Sequence, residues 1–293
     1  FRLALDGDFL QPAPGGYGFK LSGEELYLLN QDTVNENLIH SEGLKLNNLS
    51  AQFLGNQDGI LNTEMQAGAY GGKVEARGKW DLINVNPVNF FLIRFLDLSV
   101  ADLKDIFPST AEIAGKLNGI LYLNQQKQLF LGGAIAISDA AIKNLSLIDN
   151  VADFLGLKSI KELKDVFLLS DFTLDRYGIR VKRFNLANPI LDLKSNLFIN
   201  DKGWVTGRVH LGLPKEVLEE SDILRRLISM VGEKSRVIDF DFRISGFTKG
   251  LRLELLEGEF RNRLISGLSS GIRAQIESEI DKAIDYFRQK GAR

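Results

Sequence analysis

Residues Ala67 to Leu82 read Ala-Gly-Ala-Tyr-Gly-Gly-Lys-Val-Glu-Ala-Arg-Gly-Lys-Trp-Asp-Leu. This segment gives the clearest indication of the fold. From Lys73 onward, charged residues alternate without interruption with apolar or small ones. The apolar side consists of Val74, Ala76, Gly78, Trp80 and Leu82. A period of two predicts a β-strand with one dry and one wet face. The Tyr70-Gly71-Gly72 step predicts the turn that reverses the chain into this strand.

The same pattern of amphipathic strands and short glycine turns continues along the chain. Asp58-Gly59 predicts a hairpin between Leu44–Leu54 and Ile60–Gly68. Near the end, Ile238, Phe240, Phe242 and Ile244 alternate strictly with polar residues. We therefore predict a mainly β protein with a long, curved, mostly antiparallel sheet, in the form of a β-groove or open barrel. A closed sandwich or barrel core is the alternative that the same pattern allows.

A few helices interrupt the strands. The predicted short helices are 101–107, 147–157, 160–166 and 223–231, the last with Asp222 as its N-cap. A longer amphipathic helix is predicted from Arg261 to Lys290. Its acidic and basic residues offset one another, which favours packing against the protein over binding to a membrane surface. We predict a β-groove domain over residues 1–257 and a C-terminal amphipathic helix over 258–293.

Composition excludes several classes of protein. The net charge of −2 gives no basic field for nucleic acid. The absence of cysteine excludes disulfides, thiolate zinc sites and cysteine nucleophiles. No apolar run approaches the ~20 residues that span a bilayer. Because the chain of 293 residues begins with Phe1 rather than Met, we expect it to be part of a longer protein with further segments upstream.

The polar residues do not form a recognisable catalytic or metal-binding motif. The two histidines are His40, in a polar loop, and His210, on the wet side of a strand, and both are predicted to be solvated. Asp239 and Asp241 lie two apart on a strictly alternating strand, which predicts a solvated face. Gly71-Gly72 and Gly132-Gly133 lack the pattern of phosphate-binding loops. We therefore predict a protein that is not an enzyme and carries no cofactor and no metal.

The positive signal is the large number of apolar strand faces compared with the few helices available to cover them. Each CH₂ group transferred from water to such a face gains ~0.8 kcal/mol. A two-chain lipid could therefore bind without any charged contact. The residues predicted to line a lipid groove are Val74, Trp80, Leu117, Leu121, Leu193, Val209, Leu211, Phe240 and Phe242.

Part of the chain, from about Leu44 to Leu213, resembles the C-terminal region of the AsmA-like family. The resemblance begins with Tyr70-Gly-Gly and the strand that follows it. It continues through Asp97 to Phe107, a strand leading into a short helix. Ala114-Gly-Lys-Leu-Asn-Gly-Ile-Leu-Tyr-Leu, Gly133-Ala-Ile-Ala-Ile-Ser-Asp-Ala-Ala-Ile-Lys-Asn and Phe172-Thr-Leu-Asp-Arg-Tyr-Gly-Ile-Arg-Val follow in the family's order. The similarity is one of turns and alternation and includes no catalytic residue.

The resemblance implies a function in the envelope of Gram-negative bacteria. AsmA-like proteins and their TamB-type relatives are anchored in the inner membrane, and their periplasmic β-groove is implicated in moving phospholipid toward the outer membrane. This chain would then be a periplasmic lipid-binding module, with its anchor outside the sequence. Its partners would be a phospholipid or another acyl-chain lipid, and possible membrane or envelope proteins. The alternative is a structural or assembly factor of the envelope that docks other proteins through its sheet edges.

Overall fold

Fourteen β-strands pair in the order in which they occur in the chain. The computed structural model describes residues 6–10, 17–28, 44–84, 89–105, 111–125, 129–231, 236–247, 250–265 and 270–291. The strands are β1 (Asp6–Leu10), β2 (Tyr17–Leu28), β3 (Leu44–Gly55), β4 (Ile60–Ala69), β5 (Gly72–Asp81), β6 (Asn89–Ser99), β7 (Glu112–Gln125), β8 (Leu129–Lys143), β9 (Glu162–Asp175), β10 (Gly178–Asn188), β11 (Leu191–Asn200), β12 (Trp204–Pro214), β13 (Val237–Phe247) and β14 (Gly250–Leu255). The sheet is antiparallel and open, with β1 and β14 at its two ends. The predicted mainly β, antiparallel fold is confirmed.

Most helical segments lie in the second half of the chain. The α-helices are α1 (Ser146–Leu155), α2 (Lys215–Leu218), α3 (Asp222–Val231), α4 (Glu257–Ile265) and α5 (Ser270–Gly291), and Ala101–Asp105 and Ser159–Lys161 are 3-10 turns. The predicted terminal helix corresponds to α4, which ends at Ile265, and α5, which begins at Ser270 and includes Gly271. Residues 266–269 lie outside the described residues. Asp222 is the first residue of α3 and not its N-cap, because the backbone N–H of Arg225 donates to the carbonyl of Ser221 at 2.8 Å.

The predicted helix over 160–166 is wrong beyond the 3-10 turn, because β9 begins at Glu162. Its spacing of three, Ile160, Leu163 and Val166, is typical of a helix. In the structure Asp165 has a φ of 53°, the left-handed conformation that accompanies an extra residue in a strand. Leu163, Val166 and Leu168 are consequently all buried, with two exposed residues between the first pair.

The contacts of the chain divide it into two compact units. The first unit comprises Phe1–Ser109, Ala114–Ser138 and Thr173–Asp175, and the second comprises Thr110–Ile113, Asp139–Phe172 and Arg176–Arg293. The strand-rich part ends with β14 at Leu255, close to the predicted limit at residue 257, and α4 and α5 follow. The division at 257 as a domain boundary stays a prediction.

In the first unit, bulges keep the alternation of apolar residues in phase. The register of β6 on β7 shifts between Phe95 and Leu98, and Asp97 there has a φ of 54°. Asn118 holds this bulge: its Oδ1 accepts from the backbone N–H of Asp97 at 3.1 Å, and its Nδ2 donates to Asp97 Oδ1 at 3.1 Å. A Cβ on Gly72 would lie 2.3 Å from the Leu96 carbonyl oxygen, so the neighbouring strand needs glycine there.

In the second unit, the helices cover the apolar side of the sheet. Phe240 of β13 stacks on Phe260 of α4 with ring centroids 5.2 Å apart. Phe242 meets Phe154 of α1 edge to face at 5.5 Å, and Phe154 stacks on Phe287 of α5 at 5.2 Å. The predicted packing of the terminal helical segment against the protein is thereby confirmed. The core of this unit lies between the strands and these helices.

Candidate functional site

Strand pairing in the first unit arranges apolar residues of β4 to β7 in rows on one side of the sheet. Leu61 pairs with Trp80, Phe91 pairs with Leu123, and Ile93 pairs with Leu121. These six side chains are half-buried. We call this set the open face: Leu61, Trp80, Phe91, Ile93, Leu121 and Leu123.

A buried cluster adjoins the open face on the same side of the sheet. Its members are Leu46, Leu49, Ala67, Ala69, Val74 and Leu98. Leu103, from the 3-10 turn Ala101–Asp105, packs against this cluster. Among the described residues of the first unit, that turn is the only helical element. Within this unit, therefore, no α-helix of the described chain covers the open face.

Two aromatic rings form the centre of the open face, with their planes tilted by 39° to each other. The ring centroids of Trp80 and Phe91 lie 5.7 Å apart. Gly78 lies beneath them, since a Cβ there would come within 2.7 Å of Phe91 Cδ2 and 2.9 Å of Trp80 Nε1. The missing side chain lets the rings lie against the backbone of the sheet. Such a surface suits a flexible apolar ligand that lies along it, because aromatic rings present a large contact area.

The predicted groove residues of the first unit fall into two environments. Val74 belongs to the buried cluster, and Leu117 packs against it while remaining half-buried. Trp80 and Leu121 belong to the open face and are accessible to a ligand. The predicted apolar alternation of β5 is correct through Trp80, whereas Leu82 lies beyond the end of the strand and is exposed.

The predicted groove residues of the second unit are enclosed. Leu193, Val209, Leu211, Phe240 and Phe242 all have 1% or less of their surface exposed. Helix side chains contact the two phenylalanines directly, as the ring contacts above describe. A lipid could reach these residues only if the helices moved away. The assignment of these five residues to a lipid groove stays a prediction.

His210, Asp239 and Asp241 form a polar cluster with Arg263 of α4. The predicted solvation holds in part for His210 and Asp239, which keep 32% and 41% of their side chains exposed, and is wrong for Asp241. His210 Nδ1 lies 3.0 Å from Asp241 Oδ1, and Arg263 Nη2 lies 2.6 Å from Asp241 Oδ2. His210 Nε2 is 3.5 Å from Asp239 Oδ1. Only 13% of the Asp241 side chain is exposed. His40 lies outside the described residues.

The position of α4 explains this cluster. β14 pairs with β13 only from Phe242 to Phe247, and the backbone N–H of Leu256 then donates to the Asp241 carbonyl at 2.8 Å. The helix therefore begins where β14 leaves the edge of β13. Phe260 contacts the apolar side of the sheet, while Arg263 reaches the polar side. The cluster fastens α4 to that edge. In the part of the chain that the structure describes, no group of His, Asp and Glu is arranged to hold a metal ion.

A second polar contact connects two segments of the second unit. Glu220 Oε2 accepts hydrogen bonds from the backbone N–H groups of Lys158, at 2.7 Å, and Ser159, at 3.1 Å. Burial by itself would raise the pKa of Glu220, but the hydrogen bonds from Ser159 and Lys158 outweigh it and lower this pKa. Glu220 thus fixes the turn after α2 to the segment before β9.

Comparisons with family models, curated proteins and solved structures find no significant match to this chain. Within the described residues, no helix is both long enough and apolar enough to cross a membrane. The site is therefore defined by its own geometry. Sequence reasoning missed Leu61, Phe91, Ile93 and Leu123 as members of the open face. The alternation along their strands would have placed them once the register was known.

Proposed function

We propose that this protein is a lipid-binding module in which acyl chains lie on the open face of the first unit. The observation that supports this is a sheet face of half-buried apolar side chains that no α-helix among the described residues of that unit covers. Apolar side chains that stay partly accessible on a sheet face are suited to contact with an apolar ligand. The charged residues of β5 lie on the opposite side, so the open face itself is apolar.

The energetics favour a ligand with long methylene chains. At ~0.8 kcal/mol per CH₂, an acyl segment of about 12 methylenes gains on the order of 10 kcal/mol before the costs of ordering it. Trp80 and Phe91 supply rigid contact area, and Leu61, Ile93, Leu121 and Leu123 supply adaptable aliphatic contacts. No catalytic group is needed for binding of this kind, and we propose a carrier or conduit, not an enzyme.

The cellular setting belongs to the same proposal. The resemblance over residues 44–213 and the meander of antiparallel strands support an AsmA-like module in the periplasm of a Gram-negative bacterium. There it would take part in phospholipid transport between the inner and outer membranes, and so in outer-membrane biogenesis.

The test pairs lipid analysis with two matched variants of β7. Organic extracts of the purified protein are analysed by mass spectrometry, and we expect co-purified phospholipid. Leu121→Asp places a charge on the open face, where an unpaired carboxylate costs several kcal/mol, and should reduce bound lipid about tenfold or more. Ile120→Asp introduces the same charge on the opposite side of the same strand and should retain lipid. Circular dichroism checks that each variant is folded. Equal lipid content in folded Leu121→Asp and wild-type protein would contradict the proposal.

A second candidate function is docking of envelope proteins at the sheet edge. The observation that favours it is a cavity of about 410 Å³ beside the terminal strand β14, lined by Leu253, Ile284, Phe287 and the side chain of Arg252, among others. An added strand could place an apolar side chain there. The test measures whether each variant maintains the permeability barrier of the cell envelope. If docking is the function, Glu254→Pro, which disrupts the edge strand, should abolish this activity and Leu121→Asp should retain it. If lipid binding on the open face is the function, Leu121→Asp should abolish it and Glu254→Pro should retain it.

A further inference from the structure

Four of the six exposed large hydrophobic side chains described in the second unit lie at one end of its strands. Tyr177, Ile179, Trp204 and Phe247 have 59%, 37%, 39% and 56% of their surface exposed, respectively. We call these four residues the turn rim. Tyr177 lies in the β9–β10 turn, Trp204 begins β12 after the turn at 201–203, and Phe247 ends β13. These three connections lie at the same end because the strands alternate in direction.

The register of the strands shows on which side of the sheet each rim residue lies. Ile179 pairs with Ile199 and Ile199 with Val205, so Ile179 lies on the side of the buried Val205, whereas Trp204 pairs with Phe247 on the other side. Trp204 and Phe247 contact edge to face with centroids 5.0 Å apart. Adjacent strands are about 4.8 Å apart, so the exposed side chains form a row along the strand ends rather than a compact patch. The opposite ends of these strands lead into α2 and α3 and into α4.

Charged residues flank this row. Arg176, Arg180 and Lys202 provide three positive charges, and Asp175 and Asp201 provide two negative ones. Arg176 lies over the Tyr177 ring at 4.6 Å, and Arg180 lies over the Phe198 ring at 5.6 Å. Aromatic side chains with a polar edge, arranged beside arginine and lysine, are the residues that proteins place at the boundary between lipid headgroups and acyl chains.

The first unit, considered by itself, repeats the arrangement. Every large hydrophobic side chain that is exposed among its described residues lies at or near the end of a strand, beside the connection to the neighbouring strand. These residues are Tyr17, Leu54, Leu82, Ile83, Phe90, Phe130 and Leu174. Exposure of apolar residues is thus not scattered over the polar side of the sheet. It is concentrated at the turns.

We infer that the turn rim is a contact for the surface of a phospholipid bilayer. A row of singly exposed aromatic and aliphatic side chains on strand ends matches the planar headgroup boundary. Two cavities of this unit, of about 410 and 400 Å³, include no rim residue, so neither provides a pocket for a partner's side chain at the turn rim. The slight excess of positive charge favours anionic lipid. This inference does not depend on acyl chains binding to the open face.

Flotation with vesicles tests the inference on the full chain. The vesicles are phosphatidylcholine alone or with one third phosphatidylglycerol. We expect the wild-type protein to bind, more strongly to the anionic vesicles, and binding to fall about tenfold or more when Tyr177, Trp204 and Phe247 are all replaced by Ser. The matched control replaces Phe167 and Val237 by Ser, since these are equally exposed, at 50% and 48%, but lie away from the turn rim.

Fluorescence gives a local readout, because the chain has two tryptophans, Trp80 and Trp204. In a Trp80→Phe background, anionic vesicles should shift the emission of Trp204 to the blue, and brominated lipid should quench it. In a Trp204→Phe background, Trp80 reports acyl-chain binding on the open face, so the two proposals can fail separately. Unchanged Trp204 emission, or equal loss of flotation in the control variant, would overturn the inference. A dimer that forms without lipid and dissociates in the triple Ser variant would also overturn the inference. The turn rim would then be an interface between two copies.

Discussion

The two units place similar amphipathic strands in different surroundings. In the second unit, the side chains on the apolar side are large, and α1, α4 and α5 cover them until Phe240 and Phe242 have no exposed surface. In the first unit, small residues such as Ala76 and Gly78 alternate with large ones, and the described residues of that unit form no α-helix. The alternation within the strands therefore specifies a sheet. The segments that connect the strands determine whether the apolar side of that sheet becomes a core or a binding surface.

Removing α5 should expose the apolar side of the sheet in the second unit, and we expect this change to lower stability more than any other proposed here. A chain that ends at Ile265 loses Ile276, Ile280, Ile284 and Phe287, all of which are buried. Full burial of each such side chain contributes ~1.5–3 kcal/mol, so the sum is comparable to the net stability of a whole domain. We expect strong binding of a hydrophobic dye, aggregation and rapid hydrogen exchange in β13. A chain ending at Lys290 serves as the control, and a truncated chain that is soluble and binds no extra dye would break the comparison.

A pair of aromatic substitutions sharpens the comparison at single residues. Phe240→Ala should lower the free energy of unfolding by ~3–5 kcal/mol, because it leaves a cavity between the sheet and α4. Trp80→Ala removes a larger side chain but a half-exposed one, and should cost ~1–2 kcal/mol. Urea denaturation followed by circular dichroism measures both. If the two variants lose equal stability, the open face is enclosed in solution and the contrast between the units is wrong.

The smallest expected effect concerns Glu220, which the second unit uses to hold its helical connections in place. Because its pKa is lowered in the folded protein, the carboxylate stabilises the fold above the ordinary carboxyl pKa of ~4.3, and this contribution is lost as the pH falls through the lowered value. Glu220→Gln should therefore be less stable than wild type by up to ~1 kcal/mol at pH 7, and the difference should shrink as the pH falls through the lowered pKa of Glu220. Glu219→Gln, at the neighbouring exposed position, is the control. A difference that persists unchanged at pH 3.5 would exclude the carboxylate as its cause.

The strands could be predicted from the sequence because their alternation is a local property. Ile238, Phe240, Phe242 and Ile244 lie on one side of β13, as their alternation predicts, and all are buried. The helix over 160–166 could not be excluded, since a bulge at Asp165 produces the same spacing of three as a helical turn. Bulges of this kind are set by pairing with a neighbouring strand, which a single sequence does not reveal.

The candidate site was less predictable, because burial depends on segments far away in the chain. Nothing near Phe240 indicates that Phe260 lies on it, and nothing near His210 indicates that Arg263 approaches from α4. Trp80 and Phe240 have the same apolar alternation in their strands. Only the arrangement of the helices separates an accessible residue from an enclosed one.

The pairing of every strand with its neighbour in sequence has a consequence for how the chain folds. Pairings such as β4–β5, β9–β10 and β11–β12 close only a short loop, so little chain entropy is lost before such a hairpin gains its hydrogen bonds. A sheet with such local contacts can grow one hairpin at a time from several starting points, more rapidly than Greek-key proteins of similar size. The longest insertion between strands is the segment with α2 and α3 between β12 and β13. Docking of β13, and of the helices that depend on it, is therefore the step that we expect to limit the rate of folding.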